Sequence, residues 1–204
     1  MMEKPVKSLD AEFFERLYQQ NEDPWNFEKS DYEKAKYKAT LNALPRELYS
    51  NVFEIGCSNG LLSTMMMERC DQLLAVDASS TAVKNAARRL KQFPNAEVRT
   101  MTIPKDFPEQ KFDLILFSEI GYFLNKADLI FTRTKLIEAL LPEGHLLLVH
   151  WKPVVAEFPL TGDEVHEIFA EKAGAEPTSE LTHLYGTSTD EYRLDLFEKI
   201  AACK

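Results

Sequence analysis

Between residues 51 and 151, short apolar runs alternate with stretches of helical period, and this alternation constrains the fold more than anything else in the chain. Residues 52–55, 73–76, 112–117 and 146–149 are predominantly apolar runs, and residues 97–103 suggest one more strand. Strands that read as near-continuous apolar runs are buried on both faces, which happens when helices cover both sides of a parallel sheet. The intervening segments supply those helices. Residues 61–70 read as helical, as does the set Ala82, Val83, Ala86, Ala87 and Leu90, with Ser79 or Ser80 as its N-cap. Leu129, Ile130, Leu136, Ile137, Leu140 and Leu141 repeat at helical spacing up to the breaker Pro142-Glu143-Gly144. Beyond a further helix at 163–173, residues 181–185 and 192–197 suggest a closing hairpin across 186–190. The expected architecture is a doubly wound α/β fold with a mostly parallel seven-stranded sheet and an antiparallel C-terminal hairpin.

The front of the chain reads differently. Leu9, Phe13, Phe14, Leu17 and Tyr18 mark a short amphipathic helix, and the polar turn Asn21-Glu22-Asp23-Pro24 leads into Trp25-Asn26-Phe27. Ser30 and Glu33 have the spacing of a capping box that opens a second helix, running towards Leu41 and stopped by Pro45. Residues 1–46 are therefore expected to form a helical lid on a single globular domain, 47–204.

Composition narrows the partners. The chain of 204 residues carries 33 acidic and 24 basic side chains, a formal charge of −9. Such a balance disfavours nucleic acid and anionic membranes by long-range repulsion. Cys57, Cys70 and Cys203 are an odd count without metal-ligand spacing, so a reducing compartment is expected and no metal site. No stretch reaches the roughly 18 apolar residues of a membrane span, and the start lacks a cleavable leader, so a cytoplasmic location is expected.

The chemistry resides in Val52-Phe53-Glu54-Ile55-Gly56-Cys57-Ser58-Asn59-Gly60 and in Asp77 at the end of the next strand. A strand entering a glycine turn and then a helix brings backbone N–H groups to a ligand at the sheet's C-terminal edge, and an acid ending the second strand accepts ribose hydroxyls. A nucleoside-bearing ligand is indicated. A dinucleotide fingerprint needs glycine at the first, third and sixth places of the turn, but these hold Gly56, Ser58 and Leu61. Ser58 would obstruct a pyrophosphate. The remaining pattern, an acid followed by Gly56 and Gly60, suits a nucleoside ligand without phosphate, such as S-adenosylmethionine.

Glu54-Ile55-Gly56-Cys57-Ser58-Asn59-Gly60, Asp77 and the Leu141-Pro142-Glu143-Gly144 turn resemble class I S-adenosylmethionine methyltransferases. Asp23-Pro24-Trp25-Asn26-Phe27, Tyr32-Glu33-Lys34-Ala35-Lys36-Tyr37, Phe112-Asp113-Leu114-Ile115-Leu116-Phe117-Ser118-Glu119 and Val149-His150-Trp151 resemble one branch, the nodulation N-methyltransferase (NodS-like) family, over roughly residues 10–170. The resemblance implies a Rossmann-like domain binding S-adenosylmethionine, with S-adenosylhomocysteine as product. It implies cofactor contacts at Trp25, Glu54, Gly56, Ser58, Gly60, Leu61, Asp77, Ala78, Thr102, Ile103 and Ser118. Lys36 either meets the cofactor carboxylate or is a solvated helix lysine, and Cys57 is expected to pack while touching the cofactor through its backbone. Two positions depart from the family. Ser58 replaces a usual glycine, tightening the loop. Thr102 replaces an aspartate that receives the adenine amino group, so Thr102 or a backbone carbonyl must serve instead.

Methyl transfer is an in-line displacement, and an ammonium acceptor must also lose a proton. Glu119, at the end of strand four, either orients an amine and takes its proton or is a solvated loop carboxylate. His150 is a second candidate base with a near-neutral pKa, against a structural role. Tyr122 either lines the acceptor pocket or packs. Trp25 either faces a sulfonium or pins the lid. His145, His166 and His183 show no constellation. The expected activity is N-methylation of a small molecule, by resemblance an amino sugar or deacetylated glycan. O-methylation and a non-catalytic S-adenosylmethionine-binding module are the alternatives.

Overall fold

The apolar runs become strands because their side chains fill both faces of a sheet. The computed structural model describes residues 5–174, 176 and 178–201, so Cys203 lies outside it. The chain divides into two compact units, Asp10–Asp106 and the described part of Met1–Leu9 with Phe107–Lys204. The front segment is thus shared between units: residues 5–9 go with the second, through Leu9 N–H on the Phe123 carbonyl at 2.9 Å.

In the first unit, α1 (Ala11–Gln20) and α2 (Asp31–Asn42) precede β1 (Tyr49–Ile55), α3 (Leu61–Met66), β2 (Cys70–Asp77), α4 (Ser80–Arg89) and β3 (Ala96–Thr100). β1 and β2 run parallel with Val52 opposite Leu73, and β2 pairs parallel with β3. Tyr49, Phe53, Met66 and Leu73 are fully buried here. The segment 61–70 is helical only to Met66; a 3-10 turn, Met67–Arg69, follows and Cys70 already opens β2. Ser79, not Ser80, caps α4, its side chain accepting the Ala82 N–H. Ser30 caps α2 on the Glu33 N–H, while the Glu33 carboxylate turns to Lys36 at 3.0 Å. A complete reciprocal capping box stands instead in the second unit, at Thr161 and Glu164 at the head of the helix Gly162–Ala170. β3 ends at Thr100, earlier than its sequence suggests, because residues 102–106 fold into a turn closed by the Asp106 carboxylate on the Thr102 N–H.

In the second unit, β4 (Phe112–Ser118), α5 (Lys126–Ala139), β5 (Leu140–Trp151), α6 (Gly162–Ala170), β6 (Leu181–Ser188) and β7 (Tyr192–Lys199) follow in order. Phe112, Phe117, Phe169 and Phe197 are its large fully buried side chains. Leu140 and Leu141, expected on the helix, belong to β5. Leu140 is extended (φ −70°, ψ 140°), and the turn lies inside the strand. Phe112 faces Leu140 but Leu114 faces His145, so residues 141–144 loop out as a bulge with Glu143 at φ 60°. The hairpin forms as expected, β7 pairing antiparallel with both β5 and β6. The strand order is β3-β2-β1-β4-β5-β7-β6, a seven-stranded sheet, mostly parallel, with an antiparallel C-terminal pair. Among the described residues, no helix is long and apolar enough to cross a membrane.

Candidate active site

The glycine loop in Asp10–Asp106 is built from three left-handed residues, Gly56 (φ 80°), Ser58 (φ 51°) and Gly60 (φ 79°). Gly60 is also required by packing, since a Cβ there would stand 3.1 Å from the Ala86 backbone. Ser58 pays the left-handed cost that a glycine would avoid, on the order of 1–2 kcal/mol. In exchange its hydroxyl accepts from the buried Tyr18 hydroxyl at 2.6 Å. Trp25, whose indole can only donate, hydrogen-bonds the same Tyr18 oxygen. Burial and the neighbouring Asp77 charge push the Tyr18 phenol up.

The loop amides are turned inward. The Gly56 and Cys57 N–H groups donate to the Val76 carbonyl (2.8 and 2.9 Å), Ser58 N–H to Asp77 (3.0 Å), and Gly60 N–H to the Cys57 carbonyl (2.8 Å). The expectation that these amides reach a ligand is therefore corrected. Donors consumed within the fold cannot cradle phosphate, which fits a phosphate-free nucleoside better than a dinucleotide.

Asp77 ends β2 with its carboxylate accepting from Ser58 N–H at 3.0 Å and Ser79 N–H at 2.9 Å, one on each oxygen. The Ala78 backbone donates as well. A carboxylate has about four lone-pair directions, so capacity for a ribose hydroxyl remains, and the donor set fits the expected ligand. Burial pushes Asp77 up to about 6 against those hydrogen bonds. Glu54, buried on β1, is pushed up to about 7 by desolvation while accepting the Ser63 hydroxyl at 2.5 Å. The Cys57 thiol is buried and pushed up, the state of a packing residue. Leu61 opens α3, and Ala78 hydrogen-bonds Asp77 through its backbone. Ile103 is buried, and beside Thr102 the turn supplies a carboxylate from Asp106. Lys36 is buried and paired with Glu33, its ammonium 5.2 Å from the Tyr32 ring centroid.

Sequence reasoning missed two residues of α1. Besides Tyr18, Glu15 accepts from Ser79 Oγ (2.8 Å), Thr81 N–H (3.1 Å) and Thr81 Oγ1 (2.7 Å) at the head of α4. The Thr81 hydroxyl foremost holds Glu15 well below the usual carboxylate range, at about 2. Glu15 lies on the polar side of an amphipathic pattern, so no periodicity could single it out. A cleft of about 340 Å³ in the same unit is lined by Glu22, Asp23, Glu28, Asn59, Asn85, Arg88 and Arg89, none of them an expected cofactor residue.

In the second unit Ser118 ends β4, and Glu119 follows at φ 60°. Its Oε2 accepts the Tyr122 hydroxyl at 2.5 Å and the Trp151 N–H at 3.1 Å. The Tyr122 ring stacks on Phe158, centroids 5.2 Å apart and planes 6° from parallel. Glu119 is thus a half-buried carboxylate held through Oε2 by two donors. His150 is fully buried, and its Nε2 accepts the Gly121 N–H at 3.0 Å. A lone pair committed to a backbone amide does not serve a substrate proton, so the geometry does not supply His150 as a base. His166 and His183, unassigned from sequence, join His150 and Asp195 in one hydrogen-bonded chain. His145 stands apart, 3.4 Å from Glu198.

The strand order and the nucleoside-type loop ending in Asp77 define the fold of class I methyltransferases. Among solved structures, the fold matches N-methyltransferase NodS from Bradyrhizobium japonicum WM9 in complex with S-adenosylhomocysteine, with TM-score 0.81 at 22% identity over 93% of this chain and 97% of that one. It also matches a Pseudomonas syringae protein provisionally described as a methyltransferase, with TM-score 0.72 at 39% identity over 82% of this chain and 99% of that one. The chain belongs to the Nodulation protein S (NodS) family, whose family model matches residues 11–182. Nodulation protein S of Sinorhizobium fredii is 26% identical over 128 residues, 62% of this chain but only 59% of that relative.

Proposed function

We propose that this protein is an S-adenosylmethionine-dependent N-methyltransferase acting on an amine of a small molecule, of the amino-sugar or deacetylated-glycan class. The observation that carries the reading is the Glu119 carboxylate, held by Tyr122 and Trp151 in a chain of the NodS family. A relative in that family is described as an N-methyltransferase with S-adenosylhomocysteine bound, which supports the same cofactor here.

S-adenosylmethionine supplies an electrophilic methyl on sulfur. Asp77 accepts the ribose hydroxyls, Glu54 contributes buried negative charge above about pH 7, and the loop from Gly56 to Gly60 contacts the ligand through its backbone surface. Glu119 orients the acceptor nitrogen and takes its proton, a role for which the Tyr122 hydroxyl fixes the carboxylate in place. Residues 10–46 act as the lid, with Trp25 anchored through Tyr18 to Ser58. Such positioning supplies much of the rate in displacements of this kind.

The test is transfer of labelled methyl from S-adenosylmethionine across amines, amino sugars and phenols. Label on amino-sugar nitrogen supports the reading. Label on phenols alone would make the protein an O-methyltransferase, and binding without transfer to any acceptor would make it a binding module.

A further inference from the structure

Within Phe107–Lys204 a single polar chain crosses the interior. The Gly121 N–H donates to His150 Nε2 at 3.0 Å, and His150 Nδ1 lies 3.1 Å from His166 Nε2. His166 Nδ1 lies 2.6 Å from Asp195 Oδ2, and Asp195 Oδ1 lies 2.7 Å from His183 Nε2. Arg193 Nε also donates to Asp195 at 2.7 Å. His150 and His166 are fully buried, while the His183 side chain is 45% exposed.

The protons along this chain are fixed by its inner end. A backbone N–H is always a donor, so His150 Nε2 must be bare and the neutral ring carries its proton on Nδ1. That proton points at His166 Nε2, which must also be bare, leaving the His166 proton on Nδ1, aimed at Asp195. One tautomer at each ring satisfies these three contacts. Burial keeps His166 neutral by lowering its pKa, against the pull of Asp195. Burial raises Asp195, but His166, Arg193 and His183 outweigh it and hold the carboxyl below its usual range. The backbone leaves room for this: a Cβ on Gly121 would stand 3.0 Å from His150 Nε2, and one on Gly186 would stand 2.5 Å from Asp195 Oδ1.

The inner end reaches the proposed acceptor residue from both sides. Gly121 begins the turn Gly121–Phe123, and Tyr122 on that turn donates to Glu119. Trp151, the residue after His150, donates its N–H to the same carboxylate oxygen. Fixing His150 therefore fixes both donors that aim Glu119.

We propose that His166 and Asp195 are positioning residues for methyl transfer, holding His150 in its Nδ1–H form so that the Gly121–Phe123 turn keeps Tyr122 on Glu119. The inference rests on the reading of Glu119 given above. Buried carboxylate–histidine pairs orient a functional ring elsewhere in the same manner. Here the ring orients a turn.

The experiment combines spectroscopy of the intact protein with kinetics of His166→Phe, His166→Gln and Glu119→Gln. In the ¹⁵N imidazole spectrum of the wild type, His150 and His166 are both expected as neutral Nδ1–H tautomers. His166→Phe, which can neither accept from His150 nor donate to Asp195, is expected to lower kcat by about tenfold to a hundredfold, the scale of small misplacements, with the KM for S-adenosylmethionine unchanged. His166→Gln, with an amide oxygen for His150 and an amide N–H for Asp195, is expected to recover most of that loss. An Nε2–H tautomer at either ring would overturn the proposal, as would equal activities for the Phe and Gln variants. Full activity in Glu119→Gln would instead sink the assignment of Glu119 while leaving the tautomers where the spectrum finds them.

Discussion

The two compact units assemble their polar groups in different ways. In Asp10–Asp106 the main contacts of the glycine loop join residues of two adjacent βα turns: Ser58 to Asp77, Asp77 to Ser79, Glu54 to Ser63. In Phe107–Lys204 the chain from Gly121 through His150 and His166 to Asp195 and His183 draws on a turn, two strands of the sheet, a helix and the edge strand. The first unit uses a motif that any βα turn can present, and its specificity comes from the few residues within it. The second relies on tertiary folding to bring scattered side chains together. Binding of the cofactor and handling of the acceptor proton should therefore respond separately to mutation.

The largest expected break in that comparison is at Asp77. Asp77→Ala removes the carboxylate proposed as the charge-assisted partner of the ribose hydroxyls, and such hydrogen bonds contribute about 1.5–3 kcal/mol each. S-adenosylhomocysteine affinity should fall at least about tenfold in calorimetric titration, and the ¹⁵N tautomers of His150 and His166 should not move. An Asp77→Ala protein that binds S-adenosylhomocysteine as the wild type does would remove Asp77 from the cofactor site. Tautomers altered by the same substitution would show that the units do not act separately.

A smaller, graded effect is expected from pH. Burial raises Glu54 to about 7 and Asp77 to about 6, so both are ionised above those values and take protons as pH falls through them. A protonated carboxyl loses charge assistance to ribose and its attraction for an ammonium group. S-adenosylhomocysteine affinity should thus be greatest above about pH 7 and decline stepwise through 7 and then 6. Linkage gives the ligand-free fold the opposite slope from these two groups: they bind protons more tightly when folded, so their contribution to stability falls as pH rises through the same window. His166, held neutral by burial, acts against them, losing stability as pH falls. Ligand affinity is therefore the cleaner readout, and a flat affinity between pH 8 and pH 5 would contradict the placement of both carboxylates.

What could be read in the sequence follows the same division. The buried runs, Ser79 as one of two possible caps, the loop with Asp77 and the C-terminal hairpin were all legible, because periodicity and turn chemistry are local signals. Leu140 and Leu141 were misread because they continue the helical spacing of α5, and only pairing with β4 shows that residues 141–144 bulge out of a strand. The end of β3 was blurred because the half-exposed strand lacks an apolar signature. His166, His183 and Asp195 carry no local mark; their meaning arises from contacts across 12 to 29 positions in the chain. Glu119 could be singled out through the family resemblance and Tyr122 only as its near neighbour in the chain, whereas the hydrogen bond between them and the commitment of His150 Nε2 to the Gly121 amide needed coordinates.

The smallest expected effect tests whether the departure at Ser58 is a local compensation. Replacing Ser58 by glycine relieves a left-handed backbone cost on the order of 1–2 kcal/mol and loses the hydrogen bond with the buried Tyr18 hydroxyl, an interaction of about 0.5–1.5 kcal/mol net. The two nearly cancel, so Ser58→Gly should unfold in denaturant close to the wild type. Tyr18→Phe removes that bond and the one from the Trp25 indole, with no backbone relief, and should be destabilised by about 1–3 kcal/mol. In the double variant the two losses should not add, since each removes the same bond, leaving a coupling of about 1 kcal/mol in the double-mutant cycle. The same bond connects Trp25, through Tyr18, to the glycine loop. Hydrogen exchange should accordingly show residues 20–37 protected by S-adenosylhomocysteine in the wild type, and less so in Tyr18→Phe, while residues 146–149 stay protected with or without ligand. Additive losses would mean that Ser58 and Tyr18 stabilise the fold independently. Exchange at 20–37 that ignores the ligand would leave the front helices as a fixed cover and remove Trp25 and Lys36 from the cofactor site.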